Sequence, residues 1–230
     1  MGMSPQFAHD PGHSWLGAPI DARPLFVVEH AALRAVLRGL EPADGGEEAV
    51  PGWTVHDLAA HLLGAFYGRL ARDRDGHQEG PRFAPGETLE TFIHRINQEW
   101  VDALARVSPA ALTDTLELVG GQVARFFETA APGARSLGVS WAGIDPAPMW
   151  LDCARDLTEF WTHRQQIRHA VGQETDLDPQ LPHRRRPATG RSRLPDRVHR
   201  LLRSAACPAS ASVGRRSYSH SRIAASATVP

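Results

Sequence analysis

The sequence predicts an all-α protein, on three observations. Apolar residues recur at three-and-four spacing in five stretches between residues 24 and 172, the pattern of a helix that buries one face. No alternating apolar–polar run of any length occurs between residues 20 and 180, so no sheet is expected there. Helix punctuation stands at several of the boundaries: Thr54 with Asp57 three residues on, Ser108 before Pro109, and Gly172.

Residues 1–20 mix Pro, Gly, His and Ser without a period and read as a loose arm. The first helix is expected from about Pro24 to Leu40, with Phe26, Leu33, Val36, Leu37 and Leu40 inward. An acidic, Gly-containing loop follows from Glu41 to Pro51. Thr54 then caps a second helix whose core face is Val55, Leu58, Leu62, Ala65, Phe66 and Leu70, with Asp57 approximating a capping box. Residues 72–86, charged and rich in Pro and Gly, make a long connection. The third helix reads from Glu87 to Val107, with Leu89, Phe92, Ile93, Ile96, Trp100, Ala103 and Leu104 at helical spacing. Ser108-Pro109 restarts a helix, because proline in the first turn has no needed N–H to lose. Leu112, Leu116, Val119 and Val123 form its stripe, and Gly120-Gly121 reads as a kink. An irregular crossover at 130–148 leads to the last helix, Asp152 to Gly172, striped by Cys153, Leu157, Phe160, Ile167 and Val171.

Composition narrows the class. Apolar content of 42% with a net charge of −1 is that of a soluble globular chain. No run of eighteen apolar residues exists, so no membrane span is expected. The N-terminus lacks a cationic patch followed by an apolar core, so no secretory signal is expected. Two cysteines in unlike contexts, Cys153 and Cys207, argue against a disulfide framework and for a reducing cytoplasm; Cys153 lies on an apolar stripe and reads as inert packing.

The chemistry concentrates on the last helix. Glu159 and His163 are four residues apart and share one face, with His163 between Phe160 and Ile167 on the buried side. Such a pair alone is more often a surface hydrogen bond or ion pair. A third residue changes the reading: His61, on the second helix, borders the apolar stripe three residues after Leu58. A histidine from one helix and a Glu/His pair from another match a catalytic zinc site with three protein ligands and an open fourth position.

Three motifs in order carry a resemblance: Pro51-Gly-Trp-Thr-x-x-Asp-Leu-x-x-His-Leu62, the Ser140-Trp-Ala-Gly143 turn, and Thr158-Glu-x-x-x-His-x-Gln-Gln-Ile-Arg168. Over roughly residues 20 to 180 the chain resembles the mycothiol-dependent maleylpyruvate isomerase family. The resemblance implies a DinB-like four-helix bundle over 21–180, with zinc or another divalent metal on His61, Glu159 and His163. It further implies mycothiol as thiol cosubstrate and an unsaturated small-molecule substrate. In that chemistry the thiol, held as its sulfur anion, adds to the double bond of maleylpyruvate, allows rotation and leaves to give fumarylpyruvate. Two other readings stay open on the residues themselves: a non-catalytic metal-stabilised bundle, and a zinc-dependent hydrolase in which bound water replaces the thiol.

The remaining candidates read otherwise. His56, five residues before His61, points to solvent or a capping role; His94 and His169 read as exposed or supporting, and Asn97 stays outside the ligand set. Asp156, one turn before Glu159, could orient a ligand histidine, but reads first as a plain solvated carboxylate. Trp53, Trp100, Trp141, Trp150 and Trp161 read as packing, with Trp161 bordering the pocket.

From about residue 181 the composition changes. Residues 1–180 hold 14 Arg against 25 acids, whereas 181–230 hold 11 Arg against Asp196 alone, and the whole chain has no lysine. This irregular basic tail cannot build a core and is expected to be disordered. It would attract phosphate with strong salt dependence, but with Tyr218 as its one aromatic and no binding fold, nucleic acid is not an expected partner. Members of the resembled family often continue here with more helix and a second, mixed α/β domain, a pattern this tail does not match. We hypothesise that the tail is a remnant of such a domain read out of frame, since a shifted GC-rich frame yields Arg, Ala, Pro and Ser. Resequencing the gene is expected to reveal a better-patterned alternative frame downstream of about codon 180; its absence refutes the hypothesis.

Overall fold

The computed structural model describes residues 19–175 apart from 78 and 140–142. The basic tail, most of the N-terminal arm, and Trp141 with most of the Ser140–Gly143 turn lie outside the described residues. Within them the chain is mostly helical, with five α-helices: α1 (Leu25–Arg38), α2 (Val55–Arg69), α3 (Leu89–Leu104), α4 (Pro109–Thr129) and α5 (Met149–Ala170). Two antiparallel ribbons interrupt the helices, β1 (Glu48–Val50) with β2 (Trp53–Thr54), and β3 (Arg135–Ser136) with β4 (Ala147–Pro148). Strands of two or three residues are too short for a period-two pattern to be legible, which is why the expected loops hide them.

The helices begin where the sequence says they can. Thr54 accepts from the Asp57 N–H while the Asp57 carboxylate accepts from the Thr54 N–H, a complete capping box at the start of α2. Ser108 caps α4 with Pro109 in its first turn. Gly172, at φ 69, provides the left-handed residue just beyond α5. The last helix starts three residues earlier than the periodicity indicates, at Met149, because the β3–β4 ribbon delivers the chain directly into it.

Packing puts α1 against α4 and α5, and α2 against α4, α5 and α3. The core is formed by Phe26 and Leu33 of α1, Leu58, Leu62 and Phe66 of α2, Leu116, Val123 and Phe127 of α4, and Phe160 and Ile167 of α5. Phe26 stacks on Phe127 at 4.2 Å and meets the edge of Phe160 at 5.8 Å, so three helices share one aromatic contact. Leu40, Ala65, Leu157 and Val171 reach this core only in part.

α3 departs from expectation. Of its stripe, Leu89, Ile93 and Trp100 are exposed, and Val101 is the one buried residue of the helix. The other helices already enclose the core, so α3 meets chiefly α2, along a narrow line. Trp100 lies directly on Gly64 of α2, where a side chain would collide with its indole, and stacks with Tyr67 at 5.9 Å.

Gly120-Gly121 does not interrupt its helix, since α4 runs unbroken from Pro109 to Thr129. Gly120 instead admits the His30 imidazole and the Phe66 ring, which lies 2.8 Å from where a Cβ would sit. Gly121 meets nothing nearer than Arg125 at 3.8 Å. The two neighbours should therefore respond with opposite signs. In denaturant titrations Gly120→Ala is expected to destabilise by about 1–3 kcal/mol through overpacking, and Gly121→Ala to stabilise by about 0.5–1 kcal/mol through helix propensity.

Candidate metal centre

The antiparallel contact of α2 and α5 brings together side chains 98 residues apart in the chain. His61 Nε2 lies 3.3 Å from Glu159 Oε1, and His163 Nε2 lies 4.0 Å from the same oxygen. The two imidazoles meet edge to face, with ring centroids 5.0 Å apart. One donor atom of each of the three residues lies within 4.8 Å of the other two. Zinc bonds of about 2.0–2.1 Å at tetrahedral angles separate ligand atoms by about 3.4 Å, so small side-chain shifts would seat a cation here. No other such cluster occurs among the described residues.

The three positions differ in exposure. His61 is buried, whereas Glu159 and His163 keep 30% and 18% of their side-chain surface, so the cluster opens towards solvent on the α5 side. The β1–β2 ribbon sets Trp53 beside it, 5.2 Å from the His61 ring, with the indole N–H donating to Gln98 of α3 at 2.9 Å. Trp53 is thus a wall of the site as well as a packing residue.

Neighbouring groups prepare the donors. His163 Nδ1 lies 2.7 Å from Gln166 Oε1; an amide oxygen only accepts, so Nδ1 donates, and Nε2 is the ring atom turned to Glu159. Burial holds His163 below its ordinary imidazole value, although the charge of Glu159 pulls it up. Burial alone would raise Glu159, but the hydrogen bond from His61 and the charges of His163, His61 and Arg155 outweigh it and hold the carboxyl at about 2.

Sequence reasoning missed what lies behind Glu159. Arg69, buried near the end of α2, donates to Asp152 Oδ2 at 2.6 Å and pairs with Asp156 Oδ2 at 2.7 Å, both on α5. It also reaches Asp73 at 2.6 Å, in the π-helical turn Leu70–Arg74 that extends α2. Ser136 adds a hydrogen bond to Asp152. Asp156 is therefore not the solvated carboxylate its position implies; it is buried in this ionic cluster. The available signal was Asp152, Asp156 and Glu159 at four-and-three spacing, an acidic line on a largely buried helix.

Other histidines stand apart. The His56 ring meets the Val107 carbonyl at 2.9 Å, and His94 and His169 are exposed. Cys153 is fully buried, and that burial pushes its thiol far above the ordinary range, consistent with inert packing.

A family model described as the mycothiol maleylpyruvate isomerase N-terminal domain matches residues 26–168, more than half of the chain and all three clustered residues. The chain belongs to this family. No curated protein matches it in sequence. A solved structure, the sibling lethal factor precursor DfsB, is similar with a TM-score of 0.52 and 20% identity, over 67% of this chain and 96% of that one. That likeness is one of fold. No helix among the described residues is long and apolar enough to cross a membrane.

The depressed Glu159 carboxyl has a measurable consequence. A group whose folded value is lowered contributes stability that is complete above its unfolded value and lost as pH falls through the folded one. In metal-free protein the stability gap between the unaltered chain and Glu159→Gln is expected to be widest above about pH 5. It should close as pH falls towards about 2. Urea unfolding across that range checks it.

Proposed function

We propose that the protein binds one divalent cation, zinc by preference of its donors, on His61, Glu159 and His163, and uses it in thiol-dependent isomerase or transferase chemistry of the mycothiol type. The observation that carries this reading is the convergence of two imidazoles and a carboxylate from two helices of a family domain. A bound zinc would hold a low-molecular-weight thiol as its thiolate near neutral pH. The chain's own residues do the positioning. Gln166 fixes the His163 tautomer, Trp53 closes one flank, and the burial of His61 keeps water from one side of the donor set. The co-substrate class is an unsaturated small molecule to which a thiolate adds. The four helices α1, α2, α4 and α5 make the DinB-type bundle in this reading, with α3 as a flanking addition. A reducing cytoplasm, where such a thiol stays reduced, is the compartment it fits.

Purified protein is expected to contain about one divalent ion per chain, lost in His61→Ala and His163→Ala. Gln166→Ala should retain the ion with affinity weakened about tenfold, read by chelator competition. Turnover is assayed with mycothiol and maleylpyruvate. Metal uptake without thiol-dependent turnover would favour a metal-stabilised interaction module or a zinc-dependent hydrolase, and the absence of metal uptake would remove the proposal.

A further inference from the structure

We propose that Arg155 is a positioning residue that keeps Glu159 a one-oxygen ligand, so that coordination positions on the metal stay open; this rests on the metal reading above. The two carboxylate oxygens of Glu159 have different neighbours. Oε1 faces both imidazole Nε2 atoms, at 3.3 and 4.0 Å, whereas Oε2 faces Arg155 Nη1 at 3.7 Å. A cation seated among the three donors meets Oε1, while Oε2 lies on the Arg155 side, within ion-pair range of the guanidinium though beyond hydrogen-bond length.

Arg155 itself has little freedom to move. Its Nε and Nη2 donate to Asp152 Oδ1 at 3.0 and 2.7 Å, and Nη2 pairs with Asp156 Oδ1 at 2.7 Å. The other oxygens of those two aspartates are held by Arg69 from α2, at 2.6 and 2.7 Å. Each aspartate thus bridges two guanidinium groups, and both are buried. Two forks and two carboxylates fix the plane of Arg155, leaving Nη1 as the end that reaches Glu159. Two oxygens of one carboxylate on zinc would fill a position that catalysis requires for thiol, water or substrate.

The test uses the full chain loaded with Co(II), whose visible absorption weakens as coordination number rises. The unaltered protein is expected to give the intense spectrum of a four-coordinate ion, and a crystal structure of its zinc form to show one Glu159 oxygen on the metal. Arg155→Gln is expected to lower the visible absorption about twofold or more at full loading, as Oε2 swings onto the ion. Arg155→Lys keeps the charge without the fork, and covers the case in which the neutral variant does not fold; it should give an intermediate spectrum. A variant that binds metal less tightly but with an unchanged spectrum would show a merely structural arginine, and overturns the proposal. So does a zinc structure of the unaltered protein with both Glu159 oxygens bound. If the unaltered protein binds neither ion, the metal reading fails and takes this proposal with it; if it binds and only the Arg155 results fail, the metal reading stands.

Discussion

The structure depends most on the guanidinium of Arg69, which sits between α2 and α5 and is bound by three carboxylates. A buried cation is tolerated only when its charge and its donors are met, and Asp73, Asp152 and Asp156 meet them. Asp152 lies far below its ordinary value even though burial opposes ionisation, because Arg69 and Arg155 stabilise the anion more. The fork also sets register. Sliding α2 along α5 by one turn displaces it by about 5.4 Å, which would strand the three buried charges of Arg69, Asp152 and Asp156 and separate His61 from Glu159. The residues that bring the donors together are thus not the donors.

A second buried ion pair acts on the same helix from the other side. Arg164, next to His163, grips both oxygens of Glu29 on α1 at 2.6 and 3.0 Å. With Arg69 reading Asp152 and Asp156 from α2, α5 is held near both ends of its functional segment. Its rotation about its own axis is constrained, so Glu159 and His163 have a defined aim. The aromatic contact of Phe26, Phe127 and Phe160 fills the space between these polar clamps.

The peripheral elements shape the approach to the site. The β1–β2 ribbon exists to turn the chain into α2, and its last residue before the helix cap is Trp53, set against His61. α3 contributes Gln98 to hold that indole and leaves Leu89, Ile93 and Trp100 on the surface. An amphipathic stripe tells that a helix can bury a face; it does not tell how much neighbouring surface will be there to receive it.

The sequence by itself determined the helices and most of their core faces, because periodicity, the Thr54–Asp57 box and the Ser108-Pro109 start are local in the chain. It also singled out His61, Glu159 and His163, since an i, i+4 pair and a histidine bordering a stripe are readable from spacing. Only the tertiary structure decided which carboxylates were solvated and which were buried. Asp156 and Asp152 look alike on a helical wheel with any exposed acid until Arg69, more than eighty residues away, arrives beside them. The roles of Gly120, Trp53 and α3 were hidden for the same reason: each is set by what another segment places against it, and close approach between distant segments leaves no period in the sequence.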